Sequence, residues 1–225
     1  GSNKYALNQV DKLYKKIVSR GTFRAKNIRI AEAAKVIENT QRDINIAFMN
    51  ELVLLFSKLN INTSEVLKAA ETKWNFAKFQ PGLVGGHCIA VDPYYLQYIG
   101  EKKGYKPKLI IPARKINDSI AKHVVDITLK SLHSRGFKIK MSKILILGFA
   151  YKENCSDTRN APVFEIYKRL NNKVKIVNII DPNVNSKSVQ KDFKIKINKK
   201  IKNLYDAIIF AVPHDNIFSL LKKYT

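Results

Sequence analysis

The chain has 225 residues, 45% of them apolar, which suffices for one large domain or two modest ones with real cores. Its 41 basic against 18 acidic residues give a net charge of +23, a balance that suits an anionic partner such as nucleic acid, an acidic membrane or a phosphorylated ligand; the excess is lysine rather than arginine, which fits compositional bias better than a phosphate-reading surface, so no nucleic-acid partner is assigned. No run approaches the ~18 apolar residues of a membrane span, the polar N-terminus does not read as a secretory signal, and two widely separated cysteines form neither a disulfide framework nor a zinc spacing, so a cytoplasmic protein is expected, with no membrane partner and no metal.

Residues 1–29 read as a helix, "NQVDKLYKKIVSR", a turn at Gly21 and an extended "FRAKNIRI", the tail of something that begins earlier. From Ala31 apolar residues at Ile37, Ile44, Phe48, Leu52, Leu55 and Leu59 recur at three, four or seven, with no Gly or Pro before Pro81. One long helix of about 30 residues follows, some 45 Å, too long for a small domain and suited to packing on another subunit or bridging two domains. "NTSEVLKAAETK" begins a second helix capped by Asn62 or Thr63, and a loop rich in Pro and Gly runs from Trp74 to Pro93. Helices resume with "YYLQYIGEKKG" and with Lys115 to Ser134, closed by Gly136.

Beyond that point strands and helices alternate. "KILILGFAY", "KVKIVNIIDP" and "YDAIIFAVPH" read as strands, "APVFEIYKRL" as a helix with Pro162 in its first turn, and "DNIFSLLKKYT" as a closing amphipathic helix. The lysine-rich run Lys187 to Asn203 alternates with Phe193, Ile195 and Ile197 as on a half-exposed strand. The expected fold class is α/β: a helical segment with one long helix, residues 30–138, then a Rossmann-like, doubly wound parallel sheet, residues 139–225. Ligands should gather beyond the strands' carboxyl ends, at Gly148 to Arg159, Asp181 to Asn183 and Pro213 to Asp215. No Gly-x-Gly-x-x-Gly fingerprint is present, so this sheet carries no standard dinucleotide cradle.

The chemistry centres on "PGLVGGHCIAVDPYY", Pro81 to Tyr95. Cys88 behind Gly85 and Gly86 suits a thiolate nucleophile approached closely by backbone and substrate, and Asp92 a carboxylate that handles a water, together a covalent acyl-type intermediate later hydrolysed. On spacing alone Cys88 could equally be a small buried apolar residue with Asp92 capping the following helix. Lys35 and Asn39, four apart, share a helix face and could reach one ligand, although an exposed polar face reads the same way.

Three stretches, "AEAAKVIENTQRDINIAFMNEL", "TKWNFAKFQPGLVGGHCIAVDPYYL" and "ILGFAYKENCSDTRNAP", resemble in order the central and C-terminal regions of the UDP-glucose/GDP-mannose dehydrogenase family, most closely its UDP-N-acetylhexosamine 6-dehydrogenase branch of surface-polysaccharide synthesis. The resemblance implies oxidation of a sugar C6 hydroxyl to a carboxylate with two NAD, Cys88 passing through a thiohemiacetal and a thioester. It implies that Lys35 stabilises an oxyanion, Asn39 positions substrate or water, and Asp92 activates water. Phe79, Gln80, Pro81, Gly82 and Gly85 match the loop that wraps the sugar and its phosphates, Lys152 the substrate lysine, and Arg159 the arginine that reaches NAD; Cys155 is structural. Val91 stands where the glucose branch commonly has lysine, and the glycine loop is one residue shorter, which favours a 2-acetamido sugar. The family's long helix builds a homodimer, and residues 1–29 match the end of its N-terminal NAD-binding domain, so the chain is expected to be a fragment, inactive alone. A non-catalytic nucleotide-sugar-binding or dimerisation module is the other reading.

Overall fold

The computed structural model describes residues 1–198, 200, 201 and 204–217. Helix α1, Lys4–Lys15, is capped by Asn3 and held by Asp11, which accepts from Thr22 Oγ1 at 2.5 Å and Arg24 Nη2 at 2.6 Å. The expected extended run "FRAKNIRI" ends early, because the Asn27 side chain accepts from Ile30 N at 3.0 Å and starts α2, Ile28–Leu59, three residues before Ala31. Asn60, in the left-handed conformation at φ 55°, stops it after 32 residues. Asn62 caps α3, Thr63–Ala70.

Two later helices begin before their expected starts. Helix α4 is Asp92–Lys102 and α5 is Ile110–Ser134, and in each the proline, Pro93 or Pro112, falls within the first turn, where its missing N–H is not needed.

A short 3₁₀ turn, Ile139–Met141, leads into β1, Lys143–Leu147. Then come α6 (Val163–Asn171), β2 (Ile176–Ile180), α7 (Ser186–Phe193), β3 (Ile197–Asn198) and β4 (Ala207–Phe210). All strand pairs are parallel, in the order β3-β2-β1-β4, with Leu145 of β1 opposite Asn178 of β2 and Ile208 of β4. This is the expected α/β class with its Rossmann-like sheet.

The lysine-rich run is mostly not a strand. Asn185 accepts from the backbone of Lys187 and Ser188, opening α7 and placing Phe193 at a helix end, where its ring meets Phe149 edge-on at 5.2 Å. Val189, Ile195 and Ile197 turn into the core. The amphipathic "DNIFSLLKKYT" is helical over Asp215 to Ile217, and from Ser219 onward, with Phe218, it lies outside the described residues.

Strand β1 is buried on both faces, which explains its unbroken apolar run. Ile144 and Ile146 join Val125 of α5, Ile166 and Leu170 of α6 and Val189 of α7. Leu145 and Leu147 meet Ile180 and Ile217 on the opposite face. Helix α5 therefore serves two cores, packing along α2 with its first half and against α6 and the sheet with its second.

Helix α2 is inverted relative to an ordinary surface helix. Its buried residues include Asn39, Thr40, Asp43 and Asn50, while Ile37, Phe48, Leu55 and Leu59 are exposed. The inward polar groups are paired: Asp43 with Arg114 and with Asn117 Nδ2 (2.7 Å), and Asn117 Oδ1 with Asn50 Nδ2 (2.8 Å). Burial pushes the Asp43 carboxyl above its ordinary value even with Arg114 beside it. Two buried atoms, Asp43 Oδ2 and Arg114 Nε, have no partner among the described residues. Such a seam is a costly way to hold two helices together; what it positions is the loop that follows.

Candidate active site and nucleotide crevice

Asn50 fixes the glycine loop by its backbone. Its Oδ1 accepts from Gly82 N at 2.8 Å and its Nδ2 donates to Gly82 O at 3.0 Å, so one buried amide reads both main-chain groups of one residue. Upstream, Gln80 Nε2 donates to Glu71 Oε1 at 2.9 Å and Phe79 is half-buried. Downstream, the glycine pair meets the sheet domain. A Cβ on Gly85 would lie 2.5 Å from the Pro162 ring, and one on Gly86, at φ +83°, would lie 2.7 Å from the Tyr151 ring. Asn160 Nδ2 donates to Gly86 O at 3.1 Å and closes the junction. The partner that approaches these glycines so closely is the second half of the chain itself.

Beyond the junction His87 and Cys88 are exposed, Sγ lying 4.0 Å from His87 Nδ1. The Cys88 carbonyl accepts from Val91 N (2.9 Å) and Asp92 N (2.8 Å), so thiol and carboxylate share one turn at the start of α4. Asp92 does not cap that helix. Its Oδ2 accepts from Asn39 Nδ2 at 2.6 Å, across from α2, and Asn39 Oδ1 accepts from Lys35 Nζ at 3.3 Å. Lys35 also pairs with Glu38 at 2.7 Å, and with Arg42 it draws the Glu38 carboxyl below its ordinary value. Lys35, Asn39 and Asp92 thus form one hydrogen-bonded chain, with Cys88 one backbone turn before Asp92; Asn39 is buried, and Lys35 and Cys88 are exposed.

Gln80, Pro81, Gly82 and Lys152 form a second group, which Phe79 and Gly85 do not join. A crevice of ≈ 390 Å³ lies at the carboxyl ends of β1 and β4, lined by Gln80, Pro81 and Gly82 on one side and by Lys152, Val212 and Pro213 on the other. Its position and size suit a small ligand. Lys152 Nζ stands 5.5 Å from the Tyr151 ring centroid. Arg159 lies outside this crevice, folded onto Asp157 with Nε–Oδ1 at 3.0 Å and Nη2–Oδ2 at 2.6 Å, which holds the Asp157 carboxyl low and raises the guanidinium. Cys155 Sγ accepts from Asp157 N at 3.3 Å, a local turn contact.

Sequence reasoning missed Asn50, Asp43, Asn117 and Arg114, although Asn39, Asp43 and Asn50 recur at four and seven as a polar helical stripe. It also missed Asp181 and His214. Both fall in the strand-end segments expected to hold ligands, but nothing in the order of residues pairs them.

A helical unit presenting a thiol turn beside a parallel sheet with a crevice at its strand ends is the arrangement of a ligand-binding α/β protein. The chain belongs to the UDP-glucose/GDP-mannose dehydrogenase family: the family's central domain matches residues 29–119 and its UDP binding domain residues 145–224. It is 46% identical over 215 residues to UDP-N-acetyl-D-glucosamine 6-dehydrogenase of Salmonella typhi, covering 95% of this chain and 51% of that protein. It is 43% identical over 225 residues to protein CapL of Staphylococcus aureus, covering 100% of this chain and 53% of that one. The solved UDP-D-ManNAc dehydrogenase of Pyrococcus horikoshii superposes with a TM-score of 0.83 at 31% identity, over 98% of this chain and 50% of that one. The chain spans about half the length of the curated relatives it matches.

Proposed function

We propose that this chain supplies the thiol, the oxyanion-binding cation and the UDP-sugar crevice of a cytoplasmic, NAD-dependent 6-dehydrogenase of UDP-N-acetylhexosamines that works as a homodimer. The observation that carries the reading is the Lys35–Asn39–Asp92 chain of hydrogen bonds ending one turn from an exposed Cys88. Two independent groups could make that geometry by chance; a cation, an amide, a carboxylate and a thiol converging with a nucleotide crevice one loop away is the set that aldehyde capture and thioester hydrolysis need. The 2-acetamido sugar rests on the names of the relatives and on Val91.

In this mechanism Cys88 Sγ adds to C6 of the sugar aldehyde, forming a carbon–sulfur bond while the thiol proton ends on the carbonyl oxygen. Lys35, exposed at the surface, stabilises the negative oxygen as it develops. Oxidation of that adduct leaves a thioester. Water held by Asp92 then attacks, the carbon–sulfur bond breaks, and the carboxylate departs with the thiol restored. Asn39 holds Asp92 and Lys35 in register through its two amide atoms. Gln80, Pro81, Gly82 and Lys152 hold the nucleotide sugar in the crevice, with Phe79 and Gly85 shaping the loop.

NAD accepts the hydrides of such an oxidation, but these residues do not build its site. A Cβ on Gly148 would lie 2.4 Å from Val212 Cβ, so that glycine serves the close packing of β1 against the segment after β4. Arg159 is the group that could reach a dinucleotide held elsewhere. The exposed outer face of α2 supports the dimer, since Phe48 and Leu55 would otherwise remain in water.

Replacing Cys88 by Ser tests the reading in protein assayed with NAD and its dinucleotide-binding domain. Turnover should fall by at least about 10³-fold while UDP affinity stays within roughly threefold. An unchanged rate overturns the covalent route, and a protein that binds UDP-sugars without ever oxidising them is a binding module instead.

A further inference from the structure

Asp181, immediately after β2, is a buried carboxylate that accepts from four backbone N–H groups. Oδ2 accepts from Phe149 N at 2.6 Å and Ala150 N at 2.9 Å, and Oδ1 from Asn183 N at 2.8 Å and Val184 N at 3.3 Å. His214 Nε2 lies 3.0 Å from the same Oδ2, and the imidazole is completely buried. The other ring nitrogen, Nδ1, lies 2.9 Å from the backbone nitrogen of Asn154. A backbone amide can only donate, so Nδ1 is an acceptor and the ring proton resides on Nε2, directed at Asp181. The Asn183 amide nitrogen approaches the same Nδ1 at 2.9 Å. Asn154 returns the contact through Oδ1, which accepts from Asp215 N at 3.2 Å.

The result is a clamp joining the segments after β1, β2 and β4. Asn154 sits two residues after Lys152, and Val212 and Pro213 immediately precede His214, so both segments that form the sheet side of the crevice are attached to one ring. Asn154 occupies the left-handed region at φ 52°, a conformation that needs outside support. An apolar side chain would fill the same space, but it would leave the Asn154 N–H without its acceptor.

We propose that His214 is a positioning residue for nucleotide binding: its unprotonated Nδ1 fixes Asn154 and so sets where Lys152 meets the diphosphate of a bound UDP-sugar. This rests on the reading of the crevice as the UDP site.

Amide side chains separate the two nitrogens. In His214→Asn the side-chain oxygen falls near Nδ1 and keeps the acceptor for Asn154, whereas in His214→Gln the amide falls near Nε2 and keeps only the contact to Asp181. UDP binding to the whole chain, measured by titration calorimetry, should weaken about tenfold in His214→Gln and stay within roughly threefold of the parent in His214→Asn, although both proteins melt at lower temperature. A merely structural histidine predicts that affinity and melting temperature fall together in both. Equal weakening by the two substitutions, or parental affinity in His214→Gln, overturns the proposal. Should His214→Gln not fold, loss of affinity in His214→Asn overturns it and retention supports it. A ¹⁵N–¹H spectrum of the histidine-labelled parent gives a test without substitution: Nδ1 must be unprotonated, and a proton there overturns the clamp. Failure of the parent chain to bind UDP overturns the reading of the crevice itself, an outcome distinct from the others.

Discussion

Asn39 donates to Asp92 at 2.6 Å across the gap between α2 and α4, and this contact joins the helix cation to the thiol turn. Asn39→Leu fills the same buried space without the amide, removing the donor to Asp92 and leaving Lys35 paired with Glu38 but no longer tied to Asp92. Turnover is expected to fall by roughly 10²-fold, with a smaller change in KM, because geometry is lost in the reacting complex more than in the bound one. Steady-state kinetics with a UDP-N-acetylhexosamine check this, and a fall confined to KM would count against it.

Asn50→Leu removes both contacts to Gly82 and the donor to Asn117. The expected loss is about 2–3 kcal/mol of folding free energy in urea, since buried partners are left unpaired. KM for the nucleotide sugar should rise as the Gln80–Gly82 wall loses its anchor.

Gly86→Ala combines a left-handed backbone with a clash against Tyr151. A destabilisation of roughly 2 kcal/mol or more is expected. Adding Tyr151→Ala should return only part of it, because the smaller residue relieves the contact and not the backbone conformation; full recovery in the double variant would show that conformation to be irrelevant.

Phe48→Glu with Leu55→Glu places charge on the exposed face of α2. Sedimentation should show monomers where the parent gives dimers, with unchanged helical circular dichroism. A parent that sediments as a monomer removes the proposed dimer altogether.

Asp11 is held well below the usual carboxylate range, first by Arg24, then by Thr22 and Lys15. A carboxyl depressed in the folded state contributes stability that is present above its unfolded value and lost as pH falls toward the folded one. The difference in melting temperature between the parent and Asp11→Asn should therefore be constant near neutrality and shrink below about pH 4. A difference that grows with acidity would reverse the assignment.

The parallel sheet was legible because β1 is a nearly unbroken apolar run, β2 one interrupted only by Asn178, and a helix of the right length separates them. Helix starts were less legible. Asn27 and Pro112 move them by three to five residues through contacts that periodicity does not register. The lysine-rich run misled because Phe–Lys–Ile–Lys–Ile alternation is the same whether Phe193 ends a helix or begins a strand, and Asn185 decides the matter by capping α7. In the site, the thiol turn and the Lys35–Asn39 pair could be named from motif and spacing. The supports could not, since Asn50–Gly82 and Asp181–His214 are contacts between residues separated by 32 and 33 positions, visible only once the chain has folded.

Helix α5 belongs to both cores, and that fact limits how the molecule can respond to a ligand. Swinging the sheet away from α2 would require bending an unbroken 25-residue rod and rupturing part of its backbone ladder, a far larger expense than loop motion. Whatever opening admits a ligand to the crevice must therefore occur around this strut and not along it, leaving the spacing between thiol turn and crevice as a built-in ruler.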